Sequence, residues 1–326
     1  MRVLVSGYYG YENLGDEALL AAVIAGLAEH DVTVLSGNPA ATEQQHNVRA
    51  VHRYLGLLGA LLRTDAVVFG GGGLLQDRTS TRSLAYYTTI IRVAKWLRTP
   101  VILAGQSLGP LSPAGERQVQ RVLSAVPIGV RDDASFALAS KLGLQVARTP
   151  DLALSLPAPT QAHAANGPLI VVPRADEPLF TALMAEVVAV AQRADIPVQA
   201  VAFQPSDQEA NIGIPVRALR NVNEWLTTIT GASAVLSVRL HGVILASAAG
   251  VPSVALSYDP KVAGFADYAG LPWFGPEASA AAVFSTVEQA RTQPYPGAVR
   301  LAGEARDGLE WLQTQLATTT RASRVH

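Results

Sequence analysis

The sequence contains no cysteine among its 326 residues. That excludes disulfides, thiol nucleophiles and every cysteine-ligated zinc or iron–sulfur site. An excess of either charge is also missing, with 25 basic residues against 26 acidic ones for a formal net charge of −1. Without a basic field there is no electrostatic footprint for nucleic acid, and no such partner is expected. Long apolar runs are absent too: the longest, Gly242 to Leu256, is broken by Gly250 and Pro252, too soon to span a bilayer. Met1 and Arg2 lead into only a few apolar residues before Gly7, too few for a signal-sequence core. The expectation is a cytoplasmic protein that at most touches the inner face of the membrane transiently.

What the chain does have is apolar content, 49% with a mean hydropathy of +0.23, and enough length for two cores. Short β-branched runs alternate with longer amphipathic stretches, the pattern of parallel α/β units. Strands are expected at Val3–Val5, Val32–Leu35, Ala66–Phe69, Val101–Leu103 and Ile128–Val130, and again at Leu169–Val172, Val198–Ala202, Ala234–Val238 and Ser253–Leu256. Between the two sets, 157–168 is rich in Pro, Ala and polar residues without periodicity and reads as a linker. The expected division is therefore a first Rossmann-like domain at 1–156, the linker, and a second at 169–326. A last helix from about Ala298 has the length to fold back onto the first domain. Two doubly wound sheets of this kind bind ligands at the C-terminal ends of their strands, on either side of a central cleft.

Five segments follow expected strands. The first, SGYYGYENLGDEALL from Ser6, is glycine-rich and opens a helix, yet it has neither the lysine of a phosphate loop nor dinucleotide-type glycine spacing. It offers Gly7 and Asn13 as loop residues, and it places Asp16 where an acid either caps the helix or does chemistry. In GGGGLLQD (70–77), Gly71, Gly72 and Gly73 can present bare N–H groups to an anion or sugar, or merely permit a tight crossing. VRDDAS (130–135) offers Arg131, which either binds an anion or pairs with a neighbouring acid. In SVRLHG (237–242), Arg239 and His241 are two residues apart and would share a side if the backbone were extended; a histidine beside a guanidinium invites an anionic ligand. SYDPK (257–261) adds Lys261 after a proline turn. The other histidines show no ligand spacing and there is no G-x-S-x-G elbow, so neither a metal site nor a serine triad is expected.

The ordered set G-Y-x-G-x-x-N-x-G-D-E-A, G-G-G-G-L-L-Q-D, R-D, S-x-R-L-H-G and Y-D-x-K resembles the polysaccharide pyruvyl transferases and covers nearly the whole chain. The resemblance implies a GT-B-like fold. It also implies transfer of a pyruvyl group from phosphoenolpyruvate to a sugar as a cyclic ketal, commonly on N-acetylmannosamine of a lipid-linked cell-wall polymer precursor. Such ketals are what S-layer homology domains recognise. Residue by residue, it matches Asp16, Arg131, Arg239, His241 and Lys261 to functional positions, with no cofactor beyond the donor substrate.

The chemistry asks for such residues. Phosphoenolpyruvate carries a carboxylate and a phosphate, and burying both calls for several cations, preferably planar forks. Arg131, Arg239 and Lys261 answer that need. His241 is the expected acid that protonates the donor methylene, and Asp16 the expected base for the attacking hydroxyl. Two alternatives stand beside this reading: a GT-B glycosyltransferase using a nucleotide sugar, and a non-catalytic sugar-binding module. The second expects aromatic platforms, whereas aromatic residues make up only 6% of the chain. RYLGLLGALLR (53–63) reads as a buried helix, with membrane contact as the alternative.

Overall fold

Runs such as AVVF (66–69) and LIVV (169–172) are apolar at every position, as suits parallel strands covered on both faces. Both are fully buried strands in a computed structural model, which describes residues 1–78, 80–157 and 163–323, with side chains to 318. The chain forms two units, each built on one parallel sheet.

The first unit comprises Met1–Tyr11, Asp16–Leu152 and the chain from Glu304 onward. Its elements begin with β1 (Arg2–Tyr9), α1 (Leu14–Gly26), β2 (Asp31–Ser36), α2 (Pro39–His46), β3 (Arg49–His52) and α3 (Leu57–Leu61). They continue with β4 (Ala66–Phe69), β5 (Gly72–Leu75), α4 (Thr81–Trp96), β6 (Val101–Leu108), α5 (Pro113–Leu123), β7 (Ile128–Val130), α6 (Asp133–Lys141) and β8 (Val146–Arg148). The strand order is β3-β2-β1-β4-β6-β7-β8, with β5 added beside β6. Leu4, Phe69, Ile90, Leu103 and Val119 lie at the centre of its core.

The second unit comprises Glu12–Gly15 and Ala153–Gly303. It contains β9 (Leu169–Val172), α7 (Pro178–Arg193), β10 (Val198–Ala202), β11 (Val216–Ala218), α8 (Val222–Ile229), β12 (Ala234–Ser237) and α9 (Leu240–Ala248). After these come β13 (Ser253–Leu256), α10 (Pro260–Ala269), β14 (Trp273–Phe274) and α11 (Ala280–Arg291), and α12 (Ala298–Ser323) starts here. The order β11-β10-β9-β12-β13-β14 is that of a dinucleotide-fold sheet, winding one way from β9 and the other way from β12. Met184, Val187, Leu236 and Val254 fill its core.

From Glu304 on, α12 belongs to the first unit. A Cβ on Gly26 would lie 2.7 Å from Leu309 Cδ2, so glycine lets α1 and α12 approach closely. The Gln313 side-chain amide donates to the Gly26 carbonyl and its oxygen meets His30 Nε2 at 3.1 Å.

Two expectations change at this level, those for 72–75 and for 53–63. GGLL (72–75) is a strand, β5, because its backbone pairs with the long β6. Positions 158–162 of the expected linker lie outside the described residues, while Ala164 N–H donates to the Ala232 carbonyl at 2.9 Å. The stretch 53–63 is not a buried helix: α3 has five residues, of which Leu61 is buried, while Leu55, Leu58 and Leu62 are exposed. A run that short cannot turn every leucine inward. Among the described residues, no helix is long and apolar enough to cross a membrane.

Leu312 is fully buried where α12 packs. Leu312→Ala should cost about 2–5 kcal/mol, the range for a large-to-small core change. In urea titrations followed by hydrogen exchange, the loss should fall on first-unit amides and leave the β9–β12 amides at wild-type protection.

Candidate functional site

In each sheet the winding reverses between two central strands, and the residues leaving those strands border a crevice. In the first unit these strands are β1 and β4; in the second, β9 and β12.

The second unit's switch point is lined by charge. Arg239 follows β12 and is the N-cap residue of α9, so Leu240 and His241 lie in the first helical turn. This corrects the extended-backbone argument: His241 is presented by a helix start, not by strand alternation. The Arg239 fork grips Asp207 through Nε at 3.0 Å and through Nη2, and Asp207 is fully buried. Asp207 also accepts the Gln204 N–H at 3.1 Å, which fixes it to the short turn after β10. Beyond the end of the adjacent strand β13, the Asp259 side chain caps α10 by accepting the Lys261 N–H at 3.0 Å. Lys261 therefore occupies the same position in α10 as His241 does in α9, and its ammonium lies 3.9 Å from Asp259. Helix N-termini reinforce the side-chain cations toward an anion.

Arg174, which the sequence reading passed over, joins this group. It leaves β9 two residues after Val172, the strand-end position that singled out the others. Its Nε and Nη2 donate to Asp176 at 2.6 and 2.7 Å, and its guanidinium stacks 4.3 Å from the Tyr258 ring centre. The hydrogen bond from Arg174 holds the Asp176 carboxyl below its usual range, with help from the Arg174 and Arg239 charges. Burial raises the Tyr258 phenol, against the pull of the Arg174 and Arg239 charges. His241 meets the loop Glu12–Gly15 within this unit: a Cβ at Gly15 would fall 2.3 Å from His241 Nδ1, so glycine is required there.

The first unit's switch point is lined by tyrosines. In the Glu12–Gly15 loop, which belongs to the second unit, Asn13 Oδ1 accepts the Gly15 N–H at 3.1 Å at the start of α1. Glu17, buried, accepts the Gly10 N–H at 2.8 Å and meets His46 Nε2 at 2.7 Å, tying the glycine loop to α1 and α2. Asp16 lies in the first turn of α1, its Oδ1 3.5 Å from where a Cβ on Gly72 would sit. Burial first, and then the Asp16 charge, pushes the Tyr9 phenol far up. The Gly7 carbonyl accepts from the Tyr87 hydroxyl at 3.2 Å. Gly71 and Gly72 have φ of +96° and +89°, a backbone that favours glycine, and Gly73 opens onto space. Six of the nine tyrosines, Tyr8, Tyr9, Tyr11, Tyr54, Tyr86 and Tyr87, belong to this region. The low overall aromatic content therefore hid a local enrichment.

Arg131 also lies in the first unit. Its Nε donates to Ser107 Oγ at 2.8 Å and its Nη1 to Asp151, a buried pair twenty residues apart. The acid it pairs with is neither of its neighbours: Asp132 caps α6 through the Ser135 N–H at 2.8 Å. Among the described residues, no cluster of three or more His, Asp or Glu is arranged to hold a metal ion.

Two doubly wound parallel units define a GT-B-like α/β protein. UDP-GlcNAc 2-epimerase from Neisseria meningitidis, solved with UDP-GlcNAc, is similar in fold at a TM-score of 0.61 and 13% identity, over 96% of this chain and 100% of that one. The Methanocaldococcus jannaschii UDP-GlcNAc 2-epimerase, in complex with UDP-GlcNAc and UDP, gives 0.62 and 11% over 96% and 100%. A glycosyltransferase from Rickettsia africae gives 0.56 and 10% over 99% and 97%. No characterised protein sequence matches significantly. The signature of the polysaccharide pyruvyl transferase family spans residues 13–260, and the chain belongs to that family of transferases.

Asp207→Ala would leave the mostly buried Arg239 fork unpaired. The expected cost is about 3–5 kcal/mol, the scale for removing one partner of a buried ion pair. Asp207→Asn, which keeps an acceptor, should cost less. Chemical denaturation of both variants checks the order, and equal loss of less than about 1 kcal/mol would mean the pair does not hold the fork.

Proposed function

We propose that the protein transfers the pyruvyl group of phosphoenolpyruvate to a sugar, forming a cyclic ketal and releasing inorganic phosphate. The carrying observation is the grouping of Arg174, Arg239 and Lys261 at the strand ends of one sheet, with two helix N-termini and the His241 imidazole. A donor with both a phosphate and a carboxylate matches that set better than a singly charged ligand would. Arg131 stays in the proposal as a further donor-binding cation, acting through Nη2 because Nε and Nη1 are already engaged.

His241 delivers a proton to the donor methylene, leaving C2 as an oxocarbenium-like centre. A sugar hydroxyl bonds to C2 and Asp16 takes its proton. The C2–O bond to phosphate then breaks, phosphate leaves with its bridging oxygen, and a second hydroxyl closes on C2, giving its proton to the departing phosphate. The acceptor we propose is N-acetylmannosamine in a lipid-linked cell-wall polymer precursor, whose ketal would serve S-layer anchoring. The setting is the cytoplasmic side of the membrane. The loop residues Gly7, Asn13, Gly71, Gly72 and Gly73 shape the acceptor side in this reading.

Incubation of the protein with phosphoenolpyruvate and N-acetylmannosaminyl acceptors should give equal amounts of ketal and phosphate. His241→Gln should keep donor affinity but lose about 10²–10⁴ in kcat, the usual worth of a general acid. It should also lose the alkaline fall of the wild-type kcat–pH profile. Arg239→Ala should weaken donor binding by about 2–4 kcal/mol, with Arg239→Lys only partly restoring it. A Gln variant at wild-type rate would transfer the acid role to another residue. Release of a nucleotide from a nucleotide sugar, with no phosphate released from phosphoenolpyruvate, would replace the reading with a glycosyltransferase.

A further inference from the structure

One face of the first sheet is covered by α3, α4, α5 and α6, whose inward residues Leu61, Leu84, Ile90, Val119 and Ala139 share one core. The outward side of that cover is unbalanced in charge. Between Arg49 and Arg98 the chain holds eight basic residues but only Asp65 and Asp77 as acids, although the whole sequence has 25 basic residues against 26 acidic. Both acids are engaged elsewhere: Asp65 meets Arg2 Nη2 at 2.7 Å, and Asp77 accepts the Ser112 N–H at 2.8 Å. Neither 53–63 nor α4 contains an acid at all. The balanced net charge conceals a local basic field.

Large apolar side chains stand among these cations. Leu55, Leu58 and Leu62 are exposed, Leu55 to 89%. Their turn is fastened to α4, because the Tyr86 hydroxyl donates to the Arg53 carbonyl at 3.0 Å and the Tyr54 and Tyr86 rings meet at 5.2 Å. Along α4 the exposed positions Arg82, Ala85, Thr89, Arg92 and Trp96 recur at steps of three and four residues, which is one stripe of a helix. Trp96 is 79% exposed, and the exposed Arg98 lies just beyond it. Arg63, also exposed, follows Leu62 in the same way. A single exposed leucine means little, but several large apolar groups over one face of a sheet, bordered by cations, mark an interaction surface. A second copy docked here about a two-fold axis would set cations against cations. An anionic bilayer accepts both kinds of side chain, the cations at its phosphates and the apolar groups at the headgroup boundary.

We propose that the outer face of α3 and α4 docks the protein on the surface of an anionic lipid bilayer. Leu55, Leu58, Leu62 and Trp96 enter the headgroup boundary, while Arg63, Arg92 and Arg98 meet lipid phosphates. The contact is electrostatic first and apolar second, so it is reversible and salt-sensitive. It uses none of the residues assigned to donor, acceptor or proton transfer, and it rests on this face alone rather than on the transferase reading.

The test is co-sedimentation of the intact protein, without substrates, with vesicles of phosphatidylcholine alone or of equimolar phosphatidylcholine and phosphatidylglycerol. The wild type should bind the mixed vesicles at least about 10-fold more tightly, and added salt should erase most of that difference. Arg92→Gln with Arg98→Gln should lose about 25-fold on the mixed vesicles, near fivefold per cation. Leu58→Ser with Leu62→Ser should lose about 10-fold on the same vesicles and keep the salt dependence. All four positions are exposed, so the fold is not at stake. Phosphatidylglycerol with brominated chains should quench the wild type more than Trp96→Phe, which reports whether Trp96 itself reaches the bilayer. Equal binding to neutral and anionic vesicles would overturn the proposal, as would undiminished binding by either double variant or equal quenching of the Trp96 variant. A wild type that ignores vesicles but forms a dimer abolished by these substitutions would assign the face to a second copy instead. Docking as described in a protein that transfers no pyruvyl group would defeat the transferase reading and leave this surface standing. Transfer to a water-soluble acceptor without docking would do the reverse.

Discussion

The reversal of winding in a parallel sheet is the constraint on which the rest depends. A strand that starts the fold must send its chain to one face, and the neighbour that begins the second half must send its chain to the other. Between the β1 and β4 exits, and again between the β9 and β12 exits, the winding reverses and leaves a gap at the strand ends. The α1 start lies at the first of these gaps and the α9 start at the second. Asp16 and the glycines 70–73 lie at the first, and Arg174, Arg239 and His241 at the second. The side chains at the two gaps differ, but their positions follow from topology.

Electrostatics then decides what each gap can hold. In the second unit, a fully buried Asp207 fixes the Arg239 fork, and Asp176 fixes Arg174. A lone guanidinium swings through many rotamers, whereas one gripped by a carboxylate presents its charge in a set direction. Lys261 and His241 gain their direction differently, from the rigid first turns of α10 and α9. The first unit works on a lower charge density. Tyrosine faces and hydroxyls lie around the Asp16 and Glu17 carboxylates and one arginine, an environment suited to hydroxyl-rich rings.

Much of this was legible in the sequence, for physical reasons. Strands buried on both faces, such as LIVV and AVVF, announce themselves by unbroken apolar runs. Motifs placed immediately after such runs had to fall at strand ends, which is how Arg239, His241 and Lys261 were found. The fork partners were not legible: Asp207 lies 32 residues before Arg239, and Asp151 lies 20 after Arg131, with no local pattern linking them. Arg174 was legible and overlooked, since it obeys the same strand-end rule. The tyrosine cluster draws on segments near 8, 54 and 86, and composition averages it away. Edge elements such as β8, β11 and β14 are two or three residues long, too short for any periodic signal. The sequence pattern does not show that His241 sits on a helix start, because an apolar strand run up to Val238 leads straight into a helix that begins at Leu240.

The central claim is chemical: the pyruvyl carbon moves and phosphate departs with its bridging oxygen. Phosphoenolpyruvate labelled with heavy oxygen at the bridging position, reacted in deuterated water with an N-acetylmannosaminyl diphosphate acceptor, tests it directly by mass spectrometry. The account predicts that the label leaves entirely in phosphate and that the ketal methyl group gains deuterium from the solvent-exchanged acid. Unlabelled phosphate, or a ketal whose methyl carries no deuterium, would contradict it.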